Sequence, residues 1–189
     1  MAEPCSGSEA VAKAENTALE MYRFAALMLG SESEAVRLVE DTVATVEVDP
    51  CADPGVANGL VRARVLQGAL EILHRQDPAS FCEVPAAASA SPCLEDDDAG
   101  PLSGPELSAL VEGAGRRSLR DWLNRLTGAQ RAVFVQRAVL GQDNAATANA
   151  INALARPAIW TADAVGRLFR QALCSLASSL VHSAPATQS

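Results

Sequence analysis

The chain has 189 residues, 49% hydrophobic and only 4% aromatic, with a formal net charge of −8. That length holds one ordinary domain or two small ones, and a core built from it must be aliphatic rather than aromatic. No apolar run reaches the roughly 18 residues a membrane helix needs. Met1-Ala-Glu-Pro-Cys5 also lacks the basic region and apolar stretch of a secretory signal, so the expected setting is the cytoplasm, away from membranes.

Five cysteines (Cys5, Cys51, Cys82, Cys93, Cys174) stand at irregular spacings without a Cys-x-x-Cys pair, beside two histidines, His74 and His182. This pattern predicts free thiols in a reducing compartment and no zinc site. The charge is unevenly placed. Residues 1–115 carry 6 Lys+Arg against 20 Asp+Glu, a balance of −14, and residues 116–189 carry 9 against 3, a balance of +6. Two units with different partners fit that split. The acidic half suits a basic protein surface or is a plain solvated face, and the basic half can neutralise phosphates.

Taken in chain order, the first fifteen residues are small and polar and are expected to fray. Leu19, Tyr22, Phe24, Ala26, Leu27 and Leu29 predict a helix that stops at Gly30. Ser31-x-x-Glu34 is a capping box for a second helix, whose apolar stripe is Ala35, Leu38, Val39, Thr42, Val43 and Val46. After Asp49-Pro50 and Asp53-Pro54-Gly55, a third helix is expected from Val56 to Arg75. Its inward residues are Leu60, Val61, Val65, Leu66, Ala69, Leu70 and Leu73. Residues 77–104, with Asp77-Pro78, a Pro/Ala/Ser run and Glu95-Asp96-Asp97-Asp98, read as a linker that buries too little to order itself. A helix restarts near Pro105, another carries Leu119, Trp122, Leu123 and Leu126, and three more are expected near 128–140, 143–155 and 161–181. On the last, Val165, Leu168, Ala172, Leu173 and Leu176 would face inward. The fold class expected is all-α: helical domains at 16–76 and 105–182 joined by a flexible acidic linker, the second with a helix-turn-helix.

Met21-Tyr22-Arg23-Phe24-Ala25, followed by Glu34-Ala35-Val36-Arg37-Leu38-Val39-Glu40-Asp41-Thr42, resembles the first domain of the extracytoplasmic-function (ECF) class of bacterial RNA polymerase sigma factors. Leu126-Thr-Gly-Ala-Gln130-Arg131-Ala-Val-Phe134 is similar to the entry helix of that class's second domain, and Val165-Gly166-Arg167-Leu168-Phe169-Arg170-Gln171 to its recognition helix. The resemblance implies a non-enzymatic transcription protein without cofactors. Its partners would be core RNA polymerase, promoter DNA and an anti-sigma factor. Arg156, Thr161, Arg167, Arg170 and Gln171 would contact DNA, and Glu34, Arg37, Glu40 and Asp41 would meet polymerase. The residue types agree: Thr161 can cap the helix, and arginine suits bidentate contact to guanine or phosphate, although arginines on a solvated helix face look the same in sequence. Tyr22, Phe24, Trp122 and Phe134 read as core residues, and Trp160 as a hydrophobic staple beside the last helix.

The chain departs from the family in three places. The stretch from Gly141 to Val165 is longer than the family's helix-turn-helix. No aromatic residue stands between Phe24 and Phe81, where the family places a base-stacking segment; Val43-Ala-Thr-Val-Glu-Val-Asp-Pro50 stands there instead. Val36 and Arg37 replace usual acids. These departures support a second reading, a degenerate sigma-like protein that acts as an interaction module or regulator without opening promoters. Enzyme signatures such as a phosphate loop, a dinucleotide-binding glycine pattern or a nucleophile elbow are absent from the sequence.

Overall fold

The computed structural model describes residues 7–46, 54–84, 116–154 and 159–183. Among them all regular secondary structure is helical, and no helix is long and apolar enough to cross a membrane. The chain divides into two compact units, Met1–Ile72 and Leu73–Ser189. The helix expected near Pro105 lies outside the described residues.

The first unit holds α1 (Gly7–Leu29), α2 (Glu32–Thr45) and most of α3 (Pro54–Gln76). Helix α1 begins at Gly7, well before Leu19, the first position of the expected apolar pattern. Its first turns are exposed, so alanine, glutamate and lysine propensity builds them rather than burial. Met21, Phe24, Ala25 and Met28, at i, i+3, i+4 and i+7, form the buried face, whereas Leu19 points outward. Gly30 ends α1 at φ +70, a conformation that suits glycine. Ser31 Oγ then accepts from Glu34 N–H to cap α2. Ala35, Val39 and Thr42 are buried, Leu38 and Val46 half-buried, and Val43 is exposed, against expectation. The stripe on α3 holds from Val61 through Leu70, but Leu60 is also exposed. Fully buried Ala25, Ala35 and Ala69 keep the helix surfaces low. Gly68 lets α3 approach so closely that a Cβ there would stand 2.5 Å from Leu38 Cδ1.

The second unit contains α4 (Pro78–Cys82), α5 (Arg116–Arg125), α6 (Gly128–Phe134) running into a π-helical turn (Val135–Val139), α7 (Asn144–Asn152) and α8 (Ala162–Ser183). Helices α5, α6 and α7 all pack on α8, and α4 packs on α6. An aromatic line runs through the core: Trp122 meets Phe134 edge-on at 4.8 Å, and Phe134 stands 6.1 Å from Phe169.

Residues 77–84, expected to open the linker, are instead built into this unit. Asp77 and Pro78 are an N-cap and a first-turn proline. Asp77 Oδ2 accepts from Gly128 N–H at 2.9 Å, Ser80 Oγ from Ala129 N–H at 3.1 Å, and Thr127 Oγ1 from Gln130 N–H at 3.3 Å. The otherwise orphaned first turn of α6 is thus satisfied donor by donor, two of the three from α4 and its N-cap. The bond from Gly128 N–H, helped by bonds from Ser80, holds the Asp77 carboxyl below its ordinary range against an opposing effect of partial burial. Phe81 is fully buried, its ring edge-on to His74 at 5.5 Å, and its carbonyl accepts from Trp160 Nε1 at 2.8 Å. Trp160 therefore serves as a buried, hydrogen-bonded wedge. The free-thiol expectation is also corrected: Cys174 on α8 is disulfide-bonded, while Cys82 is free and exposed. Sequence spacing does not determine which sulfurs meet in space.

Candidate nucleic-acid interface

The candidate interface is the outer face of α8, presented by its packing against α7. Both helix starts are capped. Asp143 Oδ1 accepts from Ala146 N–H at 2.7 Å, and Thr161 Oγ1 accepts from Ala164 N–H at 3.2 Å. The connection between them is closed by one side chain: Asn152 donates to the Trp160 carbonyl at 2.8 Å and accepts from Trp160 N–H at 3.0 Å. That two-way amide bond fixes where α8 begins despite the long connection.

On α8, Ala164, Val165, Leu168, Phe169, Ala172 and Leu176 are buried, and Leu173 is half-buried. The opposite arc carries Arg167, Arg170, Gln171 and Cys174, at i, i+3, i+4 and i+7. Three residues expected to contact DNA thus share one face, Gln171 exposed and both arginines half-buried. Thr161 stays at the helix start as its cap, and Arg156 lies outside the described residues. Asp163 is exposed one turn before Arg167 on the same arc and places a negative charge at its N-terminal end.

A polar cluster underlies this face. Gly166 lets the start of α7 approach, since a Cβ there would lie 3.0 Å from Asn144 Nδ2 and 3.8 Å from Arg170 Nη1. Arg137, in the π-helical turn, donates to the Gln142 carbonyl, and its guanidinium lies over the Phe169 ring at 5.1 Å. Gly141 makes the turn into this loop at φ +65. Gln136 is fully buried and donates back to the Ala132 carbonyl at 3.1 Å.

The sequence could not separate structural arginines from surface ones. Arg131 is buried, and its Nε donates to the Leu123 carbonyl near the end of α5 at 2.9 Å. Burial lowers its pKa. The one sequence signal for such a role is its place beside the apolar run Ala132–Val135.

In the first unit, Glu34, Arg37 and Asp41 lie at i, i+3 and i+7 on α2 with Glu40 beside them, opposite the buried stripe. Arg37, Glu40 and Asp41 are exposed and Glu34 is half-buried. They form one mixed but mainly acidic surface. Among the described residues, no cluster of His, Cys, Asp and Glu is arranged to hold a metal ion. No protein-family model, curated protein or solved structure matches this chain.

Proposed function

We propose that the chain is a divergent ECF-like sigma factor, in which the second unit contacts promoter DNA through α8 and the first meets core RNA polymerase through α2. The observation that carries this reading is the single outward arc holding Arg167, Arg170 and Gln171 on a capped helix packed against α7. Two guanidiniums one turn apart beside a side-chain amide match the acceptor pattern of phosphates and guanine edges. The acidic α2 face is the complementary surface for a basic protein partner.

A second reading rests on the aromatic gap from Phe24 to Phe81. A flipped base needs a π surface to stack on, and α2 ends without one. In this reading the chain binds polymerase or a regulator without opening the promoter. Neither reading assigns it catalysis.

A gel shift with duplex DNA tests the first. Binding is expected to weaken with salt, and Arg167→Ala and Arg170→Ala are each expected to cost about 1–3 kcal/mol where they read bases. Unchanged affinity in both variants removes α8 as the reader. Co-elution with core polymerase, lost in Glu40→Lys/Asp41→Lys, tests the α2 surface. Co-elution without run-off transcription selects the second reading.

A further inference from the structure

Between α5 and α8 lies an open groove of roughly 690 Å³ that the DNA reading does not use, apart from Gln171 on its rim. Its floor is apolar, formed by Trp122, Leu126 and Ala172. Its polar lining is rich in donors. Ser175 Oγ accepts from Trp122 Nε1 at 3.1 Å, which leaves the hydroxyl hydrogen to donate outward. Gln130 Oε1 is engaged by Thr127 N–H, which leaves its amide NH₂. Arg125 is exposed and donates to a hydroxyl, Ser179 Oγ, at 3.0 Å rather than to a carboxylate. Among the described residues, no aspartate or glutamate lines the groove.

A ligand for such a surface supplies several acceptors and negative charge, together with an apolar group for the floor. A phosphate backbone supplies the first two but not the third. Leu94-Glu95-Asp96-Asp97-Asp98 supplies all three within five residues. We propose that this acidic segment of the chain docks into the α5–α8 groove, its carboxylates toward Arg125, Gln130 and Ser175 and its leucine toward Trp122. The proposal does not depend on the DNA reading. The flanking ends, at Val84 and Arg116, both belong to the second unit. Leu94 follows Val84 by ten residues, a tether of up to about 33 Å when extended, and tethering of this kind raises the local concentration to the millimolar range.

The indole N–H of Trp122 reports on the groove because it is bonded to Ser175, while that of Trp160, bonded to the Phe81 carbonyl, is an internal reference. In the full-length ¹⁵N-labelled protein, Glu95→Gln, Asp96→Asn, Asp97→Asn and Asp98→Asn together are expected to move the Trp122 indole resonance and leave that of Trp160 in place. Titrating a synthetic peptide of residues 92–100 into this neutralised chain is expected to return Trp122 to its wild-type position. Adding Arg125→Gln is expected to weaken that titration by up to about fivefold, the range of a solvent-exposed ion pair. An identical Trp122 resonance in wild-type and neutralised chains overturns the proposal. So does a Trp122 response to duplex DNA without one to the peptide, which would assign the groove to phosphate.

Discussion

Gly128→Ala is the sharpest probe of how α4 is joined to α6. In an exposed helix this substitution gains about 0.5–1 kcal/mol, because alanine loses less backbone freedom on folding. Gly59 in α3, with nothing within 4 Å of an added Cβ, is expected to show that ordinary gain. At Gly128 the new methyl would stand 3.0 Å from Phe81 Cε2 and 3.4 Å from both Asp77 Cβ and Ser80 Oγ. Whether the neighbours can yield decides the sign. Phe81 is fully buried, with its ring against His74 and its carbonyl held by Trp160. Pushing α4 away would also stretch the bonds from Gly128 N–H to Asp77 and from Ala129 N–H to Ser80. Overpacking of this kind costs about 1–3 kcal/mol. After the helix gain, a net loss of about 1–2 kcal/mol is expected, at roughly 4–8 °C of melting temperature per kcal/mol. Both tryptophans, Trp122 and Trp160, lie in the second unit, so denaturation followed by tryptophan fluorescence reports that unit alone. A Phe81→Leu partner variant makes room for the methyl, and the double variant is expected to be less destabilised than the sum of the singles. A rise in stability for Gly128→Ala, or strict additivity with Phe81→Leu, refutes the close-approach argument.

Asp77→Asn is expected to flatten the acid limb of the same fluorescence-monitored stability profile. Its carboxyl pKa is depressed on folding, so its contribution is present above the ordinary value of 3.8 and is lost as pH falls through the lower folded value; a wild-type acid limb in the variant would count against the cap. In the first unit, Leu38→Ala is expected to cost about 1–2 kcal/mol, below the 2–5 kcal/mol of a fully buried leucine because Leu38 is only half-buried. Adding Gly68→Ala, whose methyl points into the space Leu38 Cδ1 leaves, is expected to restore part of that stability. Amide hydrogen exchange of α2 and α3 measures both, and a near-zero effect of Leu38→Ala would remove that residue from the core.

Periodicity made most of the helices legible before any coordinate. The i, i+3, i+4 spacing located α2, α3, α6, α7 and α8 closely because each buries one stripe. The failures share a cause. The first turns of α1 bury nothing, so a reading based on apolar spacing passed over them although their alanines favour helix. Leu19, Val43 and Leu60 are apolar yet exposed, because a hydrophobic residue at the edge of a stripe is not obliged to face inward. Helix α4 is too short to show a period, and Asp77-Pro78, which in sequence reads as the opening of a linker, is a helix start. Its order comes from contacts some fifty residues away in sequence, at Gly128 and Ala129, which no local pattern contains.

The candidate interface was legible for a similar reason and to a similar depth. Arg167, Arg170 and Gln171 fall on one arc by helix arithmetic alone, but the charge balance of residues 116–189 overstates what α8 can offer DNA. Arg131 is spent on the Leu123 carbonyl, and Arg137 on the Gln142 carbonyl and the Phe169 ring. Asp163 shares the outward arc and subtracts from it. Were all six net charges of that region to meet phosphates, the logarithm of affinity would fall with the logarithm of salt with a slope of about −5, from roughly 0.9 per phosphate. If only Arg167 and Arg170 do so, the expected slope is about −2. The shallow slope is the one expected of contacts through α8 alone, and removing either arginine should reduce it by about 1. A slope near −5, unchanged by Arg167→Ala and Arg170→Ala, would place the phosphate contacts on α5, where Arg117, Arg120 and Arg125 are exposed, and would take the recognition role away from α8.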